Sequence, residues 1–214
     1  MKEYNYPNVT IMKHPLISHK VAILRDKNTG MKEFRELIEE ITMLLAFESM
    51  KDVPTKKIMV ETPLETTEQT VVEEQSVVIV PILRAGLGMV NGIHKLFPTA
   101  KVGHIGLYRD EETFEPQTYY IKLPEGVENK MVILLDPMLA TGGSAAAAMQ
   151  MLKDRGCKNI RLMSIIGAPE GVKAVAEAHP DCKVFVSTLD RELNDKCYIL
   201  PGLGDAGDRI FGTK

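Results

Sequence analysis

The residues with the most evident chemistry form a strand–loop–helix unit over residues 132–155. Four apolar residues, 132–135, predict a buried strand that ends at Asp136. A short loop with two adjacent glycines and two hydroxyl side chains follows, and residues 144–155 predict a helix. Glycines let backbone N–H groups approach a ligand, and the N-terminus of a helix adds free donors and partial positive charge. The loop is therefore suited to binding an anion such as a phosphate.

The same loop carries groups that a phosphate alone would not need. Asp136 would repel a phosphate, whereas its carboxylate suits sugar hydroxyls or a metal ion, and Thr141 and Ser144 add hydroxyl donors. Together these groups predict a phosphorylated ribose. The alternative is a plain helix cap, because serine is a good N-cap and glycine pairs are ordinary in loops. The position of Asp136 at a strand end favours the ligand, because open α/β sheets bind ligands beyond the carboxyl ends of their strands. The sequence has no Gly-x-x-x-x-Gly-Lys-[Ser/Thr] motif, which removes the main support for a nucleotide hydrolase.

Two arginines follow other predicted strands. Arg84 comes after the apolar run 77–81 and precedes two glycines and a predicted helix, which repeats the layout of the first unit. Its forked guanidinium at a strand end suits a diphosphate, and the alternative is a surface ion pair. Arg109 stands at the root of the charged stretch 109–117, which we predict to be a mobile loop. The pattern alone favours local charge balance there, and the functional alternative is a closing loop that brings Arg109 onto a phosphate and excludes water.

The C-terminal residues 198–209 give a second strong signal. They are rich in glycine and have neither helical nor strand periodicity, but they also contain apolar residues and adjacent charges. A chain end is normally frayed and polar. We therefore expect this stretch to fold onto a site, where its backbone amides could contact the edge of a small planar ligand. The alternative is a structural turn with a surface charge pair between Asp208 and Arg209.

Composition narrows the classes of protein. A length of 214 residues allows a sizeable core and predicts one domain. A net charge of −3 leaves no general basic surface, so neither nucleic acid nor a membrane is an expected partner. The three cysteines are scattered without zinc-site spacing, and free thiols fit the reducing cytoplasm. Residues 1–10 have no apolar segment typical of a signal peptide, and no apolar run approaches the ~20 residues that span a bilayer.

Strands and helices alternate along most of the chain, which predicts a mostly parallel sheet covered on both faces. An amphipathic helix is expected over residues 31–51, followed by a short strand and a solvated segment at residues 61–75. The further predicted helices cover residues 86–97, 144–155 and 170–178. The further predicted strands cover residues 77–81, 101–108, 117–123, 131–135, 160–166 and 183–186.

With these motifs in place, the chain resembles the uracil phosphoribosyltransferases, a branch of the type I phosphoribosyltransferases, almost from end to end. Two motifs are highly specific to the branch: Asp-Pro-Met-Leu-Ala-Thr-Gly-Gly-Ser at residues 136–144, and the stretch from Pro201 to Thr213. The other matching motifs lie at residues 14–17, 24–30, 34–37, 81–89 and 108–113. The wider family usually has a second acid where this chain has Pro137, so Asp136 alone must serve the ribose. Cys197 stands where glycine is common.

The resemblance implies an α/β fold with a parallel sheet flanked by helices. It implies one domain over residues 1–214, with a core at about 31–186 and a small hood from about 1–30 and 187–214. It also implies a reaction of pyrimidine salvage in which uracil and 5-phospho-α-D-ribose 1-diphosphate (PRPP) give UMP and diphosphate. Mg²⁺ is the implied cofactor, held mainly through the diphosphate of PRPP and not directly by the protein. GTP is a candidate activator, and a homodimer or higher homo-oligomer is expected.

The resemblance also assigns roles to individual residues. The implied catalytic residues are Arg109, Asp136 and Asp205. The residues implied to bind PRPP are Arg84, Arg109, Asp136, Pro137, Met138, Leu139, Ala140, Thr141, Gly142, Gly143, Ser144 and Asp205. Those implied to bind uracil are Ile199, Gly204, Asp205 and Ala206.

Two other interpretations are weighed against this one. The first is a regulatory module that keeps the fold but binds RNA, and the net charge of −3 and the absence of a basic stripe oppose it. The second is a phosphoribosyltransferase that acts on purines.

The chemistry of the expected reaction needs positive charge near the leaving diphosphate and a pocket without water. Two arginines with Mg²⁺ would supply the first, and a closing loop with the C-terminal stretch would supply the second.

Overall fold

The computed structural model of the chain describes residues 6–109 and 116–213. Its helices are α1 (Pro15–Arg25), α2 (Met31–Ser49), α3 (Leu87–Leu96), α4 (Gly143–Lys153), α5 (Pro169–Ala178) and α6 (Ala206–Phe211). Its strands are β1 (Val9–Ile11), β2 (Thr55–Glu61), β3 (Thr66–Val72), β4 (Val77–Leu83), β5 (Lys101–Val102), β6 (His104–Arg109), β7 (Pro116–Lys122), β8 (Met131–Leu135), β9 (Met138–Leu139), β10 (Asn159–Gly167), β11 (Lys183–Leu189), β12 (Glu192–Leu193) and β13 (Ile199–Leu200).

The main sheet has the strand order β1-β11-β10-β8-β4-β6-β7, with β5 beside β4 and β9 beside β10. Its strands pair in parallel, except that β7 runs antiparallel to β6 at one edge. The predicted α/β class with a parallel sheet flanked by helices is confirmed. Because parallel strands end at the same edge of a sheet, Arg84 after β4, Asp136 after β8 and Asp190 after β11 all lie at that edge. Arg109, the last residue of β6, has its backbone there too.

The central strands β4, β8 and β10 are almost continuously apolar because both of their faces are covered. One face packs against the helices α1, α2 and α3 together with the C-terminal residues. The other face packs against α4 and α5. Loops at the carboxyl edge of the sheet are thus anchored on a core that is buried from both sides.

Two elements go beyond what the sequence pattern indicates. Residues 61–75 are largely exposed, as predicted, but they contain β3, which pairs with β2 as an antiparallel hairpin from Thr55↔Val72 to Glu61↔Thr66. Threonine and valine favour extended backbone, and the hairpin buries little side chain, so no apolar alternation marks it. Helix α1 was also not predicted, although its buried residues Ile17, Val21 and Leu24 have helical spacing.

The N-terminal residues take part in the main sheet. Strand β1 pairs in parallel with β11 through Val9↔Val184 and Ile11↔Val186.

Among residues 6–109 and 116–213, no helix combines the length and apolar character that crossing a bilayer requires. The three cysteines carry free thiols, two of them buried.

Candidate active site

The glycine-rich loop, residues 136–144, follows β8 at the carboxyl edge of the sheet and is tied to the neighbouring strand by backbone hydrogen bonds. The N–H of Asp136 donates to the carbonyl of Met163 (3.2 Å), and the N–H of Ala168 donates to the carbonyl of Leu139 (2.8 Å). The short strand β9 inside the loop pairs with the end of β10. The backbone of the loop is thereby fixed before any ligand arrives.

The second half of the loop presents a helix N-terminus to solvent. Gly142 has φ 83°, and a Cβ atom there would lie 2.8 Å from the carbonyl oxygen of Gly171 in α5. Only glycine accommodates both the left-handed backbone and this close approach. Helix α4 then begins at Gly143, and Gly143 and Ser144 are both exposed. Because the first N–H groups of a helix have no partner within it, this end of α4 can donate to an anion.

The carboxylate of Asp136 lies in the first half of the loop and is half-buried. Burial raises its pKa from 3.8 to about 6, while a hydrogen bond from the N–H of Met138 to Oδ1 (3.3 Å) lowers the pKa by a smaller amount. An ionised carboxylate can accept about four hydrogen bonds. Asp136 therefore has acceptor capacity for hydroxyl groups of a ligand, and such donors would favour its charged form.

Arg84 lies at the end of β4, next to β8, and contacts the C-terminal helix. Its Nη2 is 3.7 Å from Oδ1 of Asp208, and its guanidinium lies 5.8 Å from the centre of the Phe211 ring. The side chain is more than half exposed, so it can turn toward an anion at the sheet edge. Arg109 ends β6, which pairs with β4, and its side chain lies outside the described residues. Of the mobile loop predicted over residues 109–117, the two ends lie in β6 and β7, and residues 110–115 lie outside the described residues.

The C-terminal segment, residues 199–206, is packed into the core of the protein. Ile199, Leu203 and Ala206 are buried in the large apolar cluster on one face of the sheet, and Met138 and Ala140 of the loop pack against the same cluster. Ile199 lies in the short strand β13, which pairs with β12. This stretch is thus folded onto the protein, as expected, and its contact with a ligand stays a prediction.

Asp205 caps the helix that follows this segment. Its Oδ1 accepts a hydrogen bond from the N–H of Asp208 (2.9 Å), and it lies at the N-cap of α6. The side chain is exposed, so its second oxygen faces solvent at the same surface. One carboxylate oxygen therefore has a structural role, and the other can serve a ligand.

The oxygen atoms near this edge of the sheet decide whether a metal ion could bind there. Within residues 6–109 and 116–213, no three histidine, cysteine or acidic side chains are grouped closely enough to hold a metal. Carboxylate oxygens are nevertheless present at Asp136 and Asp205. This donor set fits Mg²⁺, which commonly keeps several waters and is bound through one or two carboxylates plus substrate phosphates.

Sequence reasoning did not find three residues that hold the C-terminal segment: Arg25, Asp190 and Arg209. Asp190 directly follows the apolar strand β11, as Asp136 follows β8, so the same strand-end signal could have revealed it. Arg209 was considered only as a surface charge pair with Asp208. Its guanidinium instead donates to the carbonyls of Leu24 (2.9 Å) and Leu203 (2.8 Å).

This arrangement of sheet and loops is shared with solved phosphoribosyltransferases. Adenine phosphoribosyltransferase from Trypanosoma brucei superposes with a TM-score of 0.59 at 14% identity, covering 93% of this chain and 89% of that one, which shows the common fold. The AQ2163 protein from Aquifex aeolicus is far more similar, with a TM-score of 0.90 and 40% identity over 96% of this chain and 99% of that one. The fold is therefore the phosphoribosyltransferase fold.

Sequence comparison defines the branch. The family model described as uracil phosphoribosyltransferase matches residues 11–213. The uracil phosphoribosyltransferase of Oceanobacillus iheyensis is 58% identical over 207 residues, 97% of this chain and 99% of its own length. That of Bacillus cytotoxicus is 58% identical over 204 residues, 95% of this chain and 98% of its own. The chain belongs to the uracil phosphoribosyltransferase family, which confirms the resemblance seen in its motifs.

Proposed function

We propose that this chain transfers the 5-phosphoribosyl group of PRPP to uracil, forming UMP and diphosphate for pyrimidine salvage. The bond between C1 of the ribose and the diphosphate oxygen breaks, and a bond from C1 to N1 of uracil forms with loss of the N1 proton. The enzyme is accordingly a pentose-transferring glycosyltransferase. Membership of the family supports the reaction, and the backbone of Ile199 is the structural observation that carries the choice of base.

The backbone of Ile199 offers a donor and an acceptor side by side. In the β12–β13 pair, the N–H of Asn194 donates to the carbonyl of Tyr198 (2.9 Å), and the N–H of Arg191 donates to that of Leu200 (3.0 Å). Because neighbouring residues in a strand point their backbone groups to opposite sides, the N–H and C=O of Ile199 face away from β12. The turn at Gly202 passes close to the Ile199 carbonyl, and only glycine fits there because a Cβ atom would overlap the carbonyl oxygen.

Uracil matches such an edge. Uracil presents O2 and O4 as acceptors and N3–H as a donor. Its N3–H can donate to a backbone C=O while O2 or O4 accepts from the neighbouring backbone N–H. Cytosine has an amino group in place of O4 and a bare acceptor at N3, so donors would face donors. Each buried unpaired polar group costs about 1–3 kcal/mol. The remaining proposed contacts to uracil come from Gly204, Asp205 and Ala206.

The other parts of the site are proposed to hold the phosphoribosyl donor. The N-terminus of α4, with Thr141 and Ser144, binds the 5-phosphate, and Asp136 accepts hydrogen bonds from ribose hydroxyls. Arg84 and Arg109 bind the diphosphate and stabilise the charge that develops on it as it leaves, an electrostatic role of the kind that dominates many enzymes. Asp205 lies beside the ribose. Water must be excluded because it would hydrolyse the donor.

Mg²⁺ is the proposed cofactor, carried in with the diphosphate. When bound, it would neutralise phosphate charge as a Lewis acid. Asp136 and Asp205 are the residues whose oxygens could approach it or its waters. Activation by GTP, a homodimeric or larger assembly and a cytoplasmic location stay predictions from the resemblance and from the free thiols.

The test is nucleotide formation from PRPP and Mg²⁺ with equal concentrations of uracil, 5-fluorouracil and cytosine. We expect UMP from uracil, turnover of 5-fluorouracil because fluorine is small, and a kcat/KM for cytosine lower by roughly 10⁴-fold or more. A kcat/KM for cytosine close to that for uracil would contradict recognition by the Ile199 edge. A preference for hypoxanthine or guanine would instead contradict the proposed reaction.

A further inference from the structure

We propose that Arg25, Asp190 and Arg209 form a clamp that positions the C-terminal segment and so sets how tightly and how selectively the enzyme binds uracil. The inference rests on the proposed function, because it assigns the uracil contacts to this segment. The three residues are positioning residues: they contact the backbone of the segment at Gly202 and Leu203, between the proposed contacts Ile199 and Gly204.

The first arm of the clamp is an ion pair between the last residue of α1 and the residue that follows β11. Arg25, the last residue of α1, donates through Nη1 to Oδ2 of Asp190 (2.8 Å) and through Nη2 to Oδ1. The Asp190 side chain is only 2% exposed and that of Arg25 20%. A two-pronged pair in a buried place fixes orientation as well as distance.

Both backbone groups of Gly202 are bound by this pair. The N–H of Gly202 donates to Oδ2 of Asp190 (3.0 Å), and its carbonyl accepts from Nη1 of Arg25 (2.7 Å). Gly202 has φ 67°, a conformation that other residues rarely adopt. Because the turn at Gly202 lies directly against the Ile199 carbonyl, a shift of the ion pair would also move the backbone of Ile199.

The second arm of the clamp is Arg209, which follows the C-terminal segment in sequence, whereas Arg25 precedes it. Arg209 lies over the ring of Phe34, 4.2 Å from its centre, and donates to the carbonyls of Leu24, Asp26 (2.7 Å) and Leu203. An N-terminal arginine therefore holds Gly202, and a C-terminal arginine holds both Leu203 and the turn after α1. The middle of the segment is fixed from both sides.

If these three residues only stabilised the fold, their loss would affect the whole protein and not the uracil site in particular. The strands of the core are held by their own ladders and by buried apolar residues from several helices. The glycine-rich loop is likewise held by β10. Loss of the clamp is therefore expected to change the uracil site while the PRPP site keeps its geometry.

The experiment compares Arg25→Lys, Arg25→Met, Arg209→Lys, Asp190→Asn and the double variant Arg25→Met/Asp190→Asn with the intact protein. We expect the KM for uracil to rise about 10-fold or more, equivalent to ~1.4 kcal/mol, and the KM for PRPP to stay within about twofold. Discrimination against cytosine falls at the same time. The double variant leaves no buried unpaired charge, so it keeps the fold, and its effect on the uracil KM is smaller than the sum of the effects of Asp190→Asn and a single Arg25→Met.

Lys20→Gln is the matched control, because it breaks another ion pair of α1, that with Glu40 of α2 (2.6 Å), which, among the described residues, makes no hydrogen bond to the C-terminal segment. It should leave both KM values unchanged. Equal rises in the KM for uracil and PRPP, or a lower melting temperature with an unchanged uracil KM, would overturn the clamp. If the intact protein forms no UMP, the proposed function fails and the role of the clamp fails with it.

Discussion

The glycine-rich loop and the C-terminal segment lie together at one edge of the sheet but are held in different ways. The loop is tied by backbone hydrogen bonds to β10, a strand that also pairs with β8 directly before the loop. The segment depends on side chains far away in sequence: Arg25 and Asp190 are 165 residues apart, and Arg209 is 185 residues from Leu24. The part that we propose to bind the phosphoribosyl donor is thus built into the core by backbone hydrogen bonds, and the part that we propose to bind the base is attached to it by side chains.

The difference suggests a division of labour. Backbone ladders resist single substitutions, because every residue contributes a similar hydrogen bond. A clamp of three side chains can be altered by one substitution without disturbing the sheet. The choice of base is therefore the property that we expect single substitutions to change most readily. Substitutions in the loop, in the segment and at Arg109 should distinguish the contributions of the two regions from that of a charge outside them.

The largest effect should come from Arg109, which belongs to neither region. If it stabilises the leaving diphosphate, Arg109→Ala should lower kcat/KM by roughly 30- to 900-fold, equivalent to about 2–4 kcal/mol of transition-state stabilisation. Arg109→Lys should recover little, because the forked donor is lost. Steady-state kinetics with PRPP as the varied substrate measure this. Lys122→Gln is the control, since it removes a positive charge at the far end of β7, opposite His104. Wild-type kinetics in Arg109→Ala would mean that the two regions and Arg84 suffice.

A smaller effect is expected for Asp136, inside the glycine-rich loop. Its pKa is raised from 3.8 to about 6, so the folded protein binds this proton more tightly than the unfolded chain does. The contribution of Asp136 to stability is thus most favourable below about pH 4, falls between about pH 4 and 6, and is level above that range. Asp136→Asn should raise the stability of the ligand-free protein at pH 7.5 by about 1–2 kcal/mol after allowance for solvent screening.

The same substitution should weaken PRPP binding about tenfold or more, because the charged acceptor for ribose hydroxyls is lost. Melting curves between pH 4.5 and 7.5 and calorimetric titration with PRPP measure the two effects. Asp154→Asn, at the distant end of α4, is the control. A melting temperature that falls at every pH would identify Asp136 as a structural carboxylate, and unchanged PRPP affinity would remove it from the site.

The smallest effect concerns the turn before the C-terminal segment. Cys197 has φ 61°, in the left-handed region that glycine adopts more readily than other residues. Strain of about 1–2 kcal/mol at a left-handed residue is partly offset by the greater flexibility of glycine in the unfolded chain. Cys197→Gly should therefore stabilise by ~0.5–1 kcal/mol in urea unfolding, and Cys197→Val should destabilise. Destabilisation by Cys197→Gly would show that the thiol packs usefully.

Much of the fold could be predicted from local patterns, and the reason is physical. Strand β8 and helix α4 are marked by a run of apolar residues and by glycines within a dozen positions, and α2 by its apolar stripe. Strand β3 has no such mark, because it is exposed on both faces. The pairing of Arg25 with Asp190 had no local signal at all, since it depends on where α1 ends relative to β11. The roles of the individual site residues stay predictions.

The clamp also has a consequence for the order of folding. Its contacts join residues far apart in sequence, 165 residues in the case of Arg25 and Asp190. Such contacts form only after the loop-closure entropy of a long stretch of chain has been paid. The glycine-rich loop needs only its neighbours β8 and β10. We therefore expect the loop to form early in folding and the C-terminal segment to be fixed late.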